Sequence, residues 1–175
     1  AEHSARNLLQ LINDVLDFSK IEAGKMDMLI EEIDLTDIIE DVVLTAEGLL
    51  LNKPVAMKFE ITPDLPVVES DYTKVKQILN NLVGNAVKFT AEGYVAVRAM
   101  PIPPTPPPQA GGIREGVRIE VEDTGSGIPK DKLGTVFESF KQVDSSIKKK
   151  FGGSGLGLAI TKSFCEMLGI DIGVE

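Results

Sequence analysis

Residues 152–158 read Gly-Gly-Ser-Gly-Leu-Gly-Leu and run without a break into Ala-Ile-Thr-Lys, the opening of an apolar helical repeat. This junction constrains the fold more than any other stretch of the chain. Glycines deny the loop side-chain anchors, while the helix that follows begins with backbone N–H groups that have no partner in the helix and carry its positive end. Such a cradle suits a phosphate. A flexible linker is the plainer alternative, but linkers rarely open a helix with Leu-Gly-Leu-Ala-Ile. The run is not a Walker loop, because no Gly-Lys-Ser/Thr ends it. Nor is it the dinucleotide pattern Gly-x-Gly-x-x-Gly, because Leu158 takes the last position.

The rest of the chain supplies three more helical stripes. Leu8, Leu9, Ile12, Val15 and Leu16 recur at steps that predict an amphipathic helix over about 4–21, which needs partners to cover its apolar side. Ile38, Ile39, Val42, Val43, Ala46 and Leu50 predict a second over about 36–50, and Val75, Ile78, Leu79, Leu82, Val83 and Ala86 a third over about 72–88. The glycine run leads into the fourth, about 156–168. Alternation predicts strands at about 55–62, 94–100 and 117–122, with a last one from Ile170 onward. Between the middle pair, Pro101 to Gly116 is rich in proline and glycine and reads as a long exposed hairpin loop. These elements predict an α+β fold, a helical appendage followed by a two-layer α/β sandwich with helices on one face of a mixed sheet.

Charge narrows the function. The net charge of -9 is spread along the chain, which argues against a protein built to grip nucleic acid. Lys148, Lys149 and Lys150 form one short basic cluster. A single cysteine, Cys165, excludes an internal disulfide and fits a reducing, cytoplasmic setting. No apolar run approaches the length needed to span a bilayer, so no membrane contact is expected of these residues.

Two further segments carry chemistry. In Asn81-Leu-Val-Gly-Asn85-Ala-Val-Lys88-Phe89 the asparagines share one helix face. An amide oxygen is a hard ligand able to complete a Mg²⁺ shell otherwise filled by phosphates and water, and Lys88 can reach phosphate from the same face. A helix cap or a satisfied core amide is an equally good account of this segment alone. Asp123-Thr124-Gly125-Ser126-Gly127 follows a strand, which suits a buried carboxylate accepting from an exocyclic amine such as that of adenine. For a lone Asp-x-Gly, a β-turn is the commoner explanation.

Taken in order, Asn-x-x-x-Asn, Asp-x-Gly-x-Gly, the pair Phe137 and Phe140, and Gly-x-Gly-x-Gly resemble the N, G1, F and G2 boxes of the ATP-binding domain of sensor histidine kinases, in the GHKL (Bergerat-fold) superfamily. The stretch 137–162 is especially similar. The stretch 8–26 resembles the second helix of the dimerisation and phosphoacceptor region, as in hybrid kinases. The resemblance divides the chain into that helix, 1–30, and the catalytic domain, 31–175. It implies that Asn85 binds Mg²⁺, that Asn81 and Lys88 contact the phosphates of ATP, and that Asp123 binds the adenine amine. Gly125 and Gly127 would shape the adenine pocket. Gly153, Ser154, Gly155, Leu156 and Gly157 would close over the phosphates, as part of an ATP lid over about 137–154, and Phe89 would either flank the base or belong to the core. Partners would be the dimerisation helices of the same kinase, in a homodimer, and a response regulator receiver domain.

The departures are equally informative. The family phosphorylates a histidine on the first dimerisation helix, in a His-Glu-x-x-Arg-x-Pro setting. The only histidine here, His3, abuts second-helix sequence and reads as a solvated residue near a helix start. The acidic base that follows the acceptor is missing as well. Ile170 replaces the second glycine of the family's Leu-Gly-Gly stretch, the closing strands fall outside this sequence, and the 101–116 loop is longer than usual. GHKL ATPases such as gyrase place a water-activating glutamate four residues before the Mg²⁺-binding asparagine. Here that position is Asn81, which cannot act as a general base. Phosphoryl transfer to a protein nucleophile is therefore expected over hydrolysis. A degenerate module that keeps only the fold is the remaining reading, opposed by intact residues in all four boxes.

Overall fold

The computed structural model describes residues 2–102, 116–138 and 155–175, with the side chains of 2–7 and 10 left aside. Its elements run α1 (Glu2–Glu22), β1 (Glu31–Ile33), α2 (Leu35–Leu50), β2 (Val55–Ile61), β3 (Val68–Ser70), α3 (Tyr72–Phe89), β4 (Gly93–Ile102), β5 (Gly116–Asp123), a 3-10 turn (Leu133–Thr135) and α4 (Gly157–Leu168). The described residues fall into two compact units, Leu29–Gly127 on one hand and Ala1–Met28 with Ile128–Glu175 on the other.

The unit 29–127 is a helix layer on a sheet. Strand order is β2-β4-β5, with β2 parallel to β4 and β4 antiparallel to β5. Val95, Val97 and Ala99 alternate onto the inner face and are almost fully covered. α2 and α3 pack on each other and on the sheet. Along α2 the apolar period is complete, since Leu35, Ile38, Ile39, Val42, Val43, Ala46 and Leu50 are all buried. The outer face is polar: Lys58 lies over the Tyr94 ring at 4.0 Å, Tyr94 donates to Glu122 at 2.5 Å, and Arg98 bridges Glu122 and Glu60. The hydrogen bonds from Tyr94 and then Arg98 hold Glu122 below the usual carboxylate range.

Three details depart from the sequence expectation. A second small sheet pairs β1 with β3 antiparallel, Ile33 opposite Val68. β4 continues through Pro101 and Ile102, opposite Val117 and Gly116. Proline is tolerated there because β2 has already ended at Ile61 opposite Ala99, so no ladder bond to β2 is lost. The strand expected from Ile170 is absent, and residues 170–175 have no regular structure. Instead Gly169, in the left-handed region at φ 68, caps α4, and the Ile170 N–H donates to the Cys165 carbonyl at 2.8 Å. The core of the 101–116 loop, residues 103–115, lies outside the described residues.

α3 is anchored at its start by Asp71, a buried residue. Its Oδ1 accepts from Lys74 N at 2.9 Å, capping the helix, and its Oδ2 accepts from Leu29 N at 2.9 Å. One carboxylate thus ties the first residue of this unit to the helix of the candidate site. Asp71→Ala is expected to cost about 1–3 kcal/mol of stability, because it strands two backbone donors away from water. A thermal melt checks this, and a midpoint equal to that of the parent protein would count against the double role.

In the other unit, α1 contacts α4. Leu8, Leu9, Ile12, Val15 and Leu16 are all exposed on α1, so the stripe is present and largely uncovered. Phe164 on α4 is fully buried. Burial pushes the Cys165 thiol up to about 11, which leaves it protonated and unreactive at neutral pH. Among the described residues, no helix is long and apolar enough to cross a membrane.

Candidate functional site

The helix face foreseen from spacing is present. Asn81, Asn85 and Lys88 are all half-buried on α3, while Val75, Ile78, Leu79, Val83, Ala86 and Val87 form its buried side. Leu82, expected in that inner row, is only half-buried, and Val87 takes its share. Lys88 keeps its ammonium 5.0 Å from the centre of the Phe89 ring, and burial lowers its pKa from the ordinary lysine value. A partly desolvated cation gains more from an arriving phosphate than a solvated one does.

The end of α3 is held by contacts that residue spacing gave no sign of. Thr90 is buried, and both its N–H and its hydroxyl donate to the Ala86 carbonyl, at 3.0 and 2.7 Å. Lys53 donates to the Val87 carbonyl at 2.7 Å. A cation on a last-turn carbonyl satisfies an acceptor that the helix leaves open. Neither residue belongs to a motif, so only the fold discloses them.

Asp123 closes β5 opposite Val95, whose neighbours set it on the helix-facing side of the sheet. The sequence suggested a buried carboxylate, but Asp123 is exposed. An ionised carboxylate without a cationic partner is costly to bury, and here Oδ1 accepts instead from Gly125 N at 2.8 Å. The turn is fastened by Thr124, whose Oγ1 accepts from Tyr94 N at 2.9 Å while its N–H donates to the Tyr94 carbonyl at 3.1 Å. Gly125 packs directly on the end of α3: a Cβ there would stand 2.6 Å from the Phe89 carbonyl oxygen and 2.7 Å from Asp123 Oδ1. Only glycine allows that approach. Gly127, at φ 66, has open space around it. The fold thus brings the C-terminal end of α3 and the Asp123 turn together, although they lie far apart in sequence.

Gly155, Leu156 and Gly157 stand at the head of α4, in the other unit. Leu156 is buried and supplies no side-chain hydrogen bond as cap, so nothing from the cap residue's side chain occupies the first-turn donors. Phe137 is half-buried. Phe140, Lys148 to Lys150, Gly153, Ser154 and most of the expected lid, 137–154, lie outside the described residues. Among the described residues no three His, Cys, Asp or Glu side chains gather to hold a metal. The amide oxygen of Asn85 is a hard donor of the kind that can ligate Mg²⁺, with phosphate and water oxygens completing the shell.

Comparison with known proteins agrees with this geometry. A family model described as histidine kinase-, DNA gyrase B- and HSP90-like ATPase matches residues 70–175. The non-motile and phage-resistance protein of Caulobacter vibrioides is 44% identical over 168 residues, covering 94% of this chain and 19% of that protein. The sensor protein GacS of Pseudomonas syringae pv. syringae is 39% identical over 175 residues, 99% of this chain and 19% of its own length. The peroxide stress-activated histidine kinase mak2 of Schizosaccharomyces pombe is 37% identical over 177 residues, 100% of this chain and 8% of its own. The chain therefore spans no more than 19% of these curated relatives. Among solved structures, full-length ShkA in complex with AMPPNP superposes with a TM-score of 0.80 at 30% identity, over 99% of this chain and 34% of that one. The catalytic domain of the histidine kinase ThkA gives 0.63 at 26% identity, over 80% and 81%. Sheet and helix layer are those of the Bergerat ATP-binding fold, and the chain belongs to the histidine kinase-, DNA gyrase B- and HSP90-like ATPase family.

Proposed function

We propose that this chain is the Mg-ATP-binding catalytic part of a two-component sensor histidine kinase, serving a histidine that the chain does not itself carry. The observation that supports it most is the packing of the Asp123 turn on the C-terminal end of α3, the helix that carries Asn81, Asn85 and Lys88, through the Gly125–Phe89 approach. Bound ATP supplies the γ-phosphoryl group. Asn85 would ligate Mg²⁺, Asn81 and Lys88 would orient the phosphates, and Asp123 would accept from the adenine amine. Gly153, Ser154, Gly155, Leu156 and Gly157 would offer backbone donors to the phosphates. Asn81 cannot activate water, so positioning for transfer to a protein nucleophile is favoured over hydrolysis. The exposed stripe of α1 supports the reading of 1–30 as a dimerisation helix, with homodimerisation, a receiver-domain partner and a cytoplasmic setting belonging to the whole kinase.

Transfer is tested with γ-labelled ATP and a separately supplied two-helix dimerisation domain that bears a histidine. Acid-labile label is expected on the added domain and none on this chain. Label on His3, or rapid release of free phosphate without transfer, would overturn the proposal.

A further inference from the structure

α2 and the edge of β2 away from β4 enclose two adjoining depressions away from the Asp123 turn. The first, about 480 Å³, sets Asp37, Glu40, Asp41 and Glu47 around Leu44 and Phe59. The second, about 580 Å³, shares Glu40 and Phe59 and adds Glu60 and Asp64. Among the described residues no lysine or arginine lines either one. Asp41 is matched by Lys76 at 2.7 Å and Glu60 by Arg98 at 3.6 Å. Asp37, Glu40, Glu47 and Asp64 have no cationic partner among the described residues.

The apolar floor is as unusual as the rim. Phe59 pairs with Val97 on the inner face of the sheet, yet Val97 is 1% exposed and Phe59 50%. Leu44, on the neighbouring helix, is 69% exposed. Phe59 thus belongs to the core face by register but lies at the edge, where α2 does not cover it. Large apolar side chains left open inside a ring of one charge sign mark an interaction site more often than a solvated surface. Among the described strands β2 pairs only with β4, so its outer edge keeps backbone donors and acceptors for an added segment.

From this we propose that the α2–β2 groove docks a basic segment of a partner protein, one bulky apolar side chain seated against Phe59 and Leu44 and flanking lysines or arginines facing Glu40 and Glu47. Charge complementarity selects the partner: the rim repels nucleic acid and anionic lipid alike, and attracts a cationic peptide from a distance. The apolar floor supplies what charge alone does not, a reason to discriminate among cationic sequences. The groove shares no lining residue with the nucleotide site.

The test uses the full chain and three labelled peptides read by fluorescence anisotropy. One carries lysines and arginines around a central leucine and phenylalanine, one has serines in place of that pair, and one has glutamates in place of the cations. Saturable binding of the first is expected, at least about tenfold weaker binding of the serine peptide, and none of the glutamate peptide. Glu40→Lys and Phe59→Ser should each weaken the first peptide at least about tenfold, while affinity for an ATP analogue stays unchanged. Glu47→Lys, on the exposed side of α2, repeats the charge test should either variant fail to fold. Equal affinity for the basic and serine peptides would reduce the effect to net charge. That result, absence of saturable binding, or binding kept by the folded variants would each overturn the proposal.

Discussion

Asp123→Asn is expected to weaken binding of a non-hydrolysable ATP analogue by about 5- to 150-fold, or about 1–3 kcal/mol, without unfolding the protein. Oδ1 of Asp123 already accepts from Gly125 N at 2.8 Å, and an asparagine can keep that bond with its amide oxygen. Its NH₂ group would then occupy the place of Oδ2 and face an amine donor with another donor. The turn survives, and recognition does not. Calorimetric titration of the folded variant decides the matter, and an unchanged affinity would remove Asp123 from the site.

Gly125→Ala should do more damage, in both stability and binding. The added Cβ would meet the Phe89 carbonyl oxygen at 2.6 Å and its carbon at 2.9 Å, and both are backbone atoms that cannot swing aside. Either the turn or the end of α3 must move, at a cost of about 1–3 kcal/mol, and the displaced pair carries Asp123 and Lys88. Gly127→Ala is the natural control. Its φ of 66 makes alanine strained by about 1–2 kcal/mol, but no atom lies within 4 Å of the added Cβ. Gly125→Ala is therefore expected to lose more analogue affinity than Gly127→Ala, for which backbone strain at φ 66 is the main cost. Equal losses of affinity at the two positions would mean that the close approach is not what Gly125 serves.

Legibility in the sequence followed element length and the range of contacts. α2, α3 and α4 were readable because their apolar periods span several turns, and Asn81, Asn85 and Lys88 could be set on one face from spacing alone. β1 and β3 were not, since Glu31-Glu32-Ile33 and Val68-Glu69-Ser70 are too short to show alternation. Ile170 to Glu175 has strand composition, but a strand takes its form from a neighbour, and none is paired there among the described residues. The exposure of Asp123 and the anchoring by Asp71, Lys53 and Thr90 depend on tertiary contacts that no local window contains. The groove over Phe59 belongs to the same class, because period alone assigns that residue to the core.

The parallel pairing of β2 with β4 has a kinetic side. Val55 meets Gly93 only after the chain between them, with all of α3, has been laid across the sheet. No short hairpin can begin this pairing, and the entropy of closing so long a connection is spent before the ladder returns anything. Local structure in α2 and α3 is therefore expected to precede the sheet, with Asp123 reaching the end of α3 only when β5 has joined β4. In partly folded chains the asparagine face would exist without the Asp123 turn. Nucleotide thus has nothing complete to hold until folding is nearly finished, and it stabilises the native state by mass action while offering early intermediates no guidance.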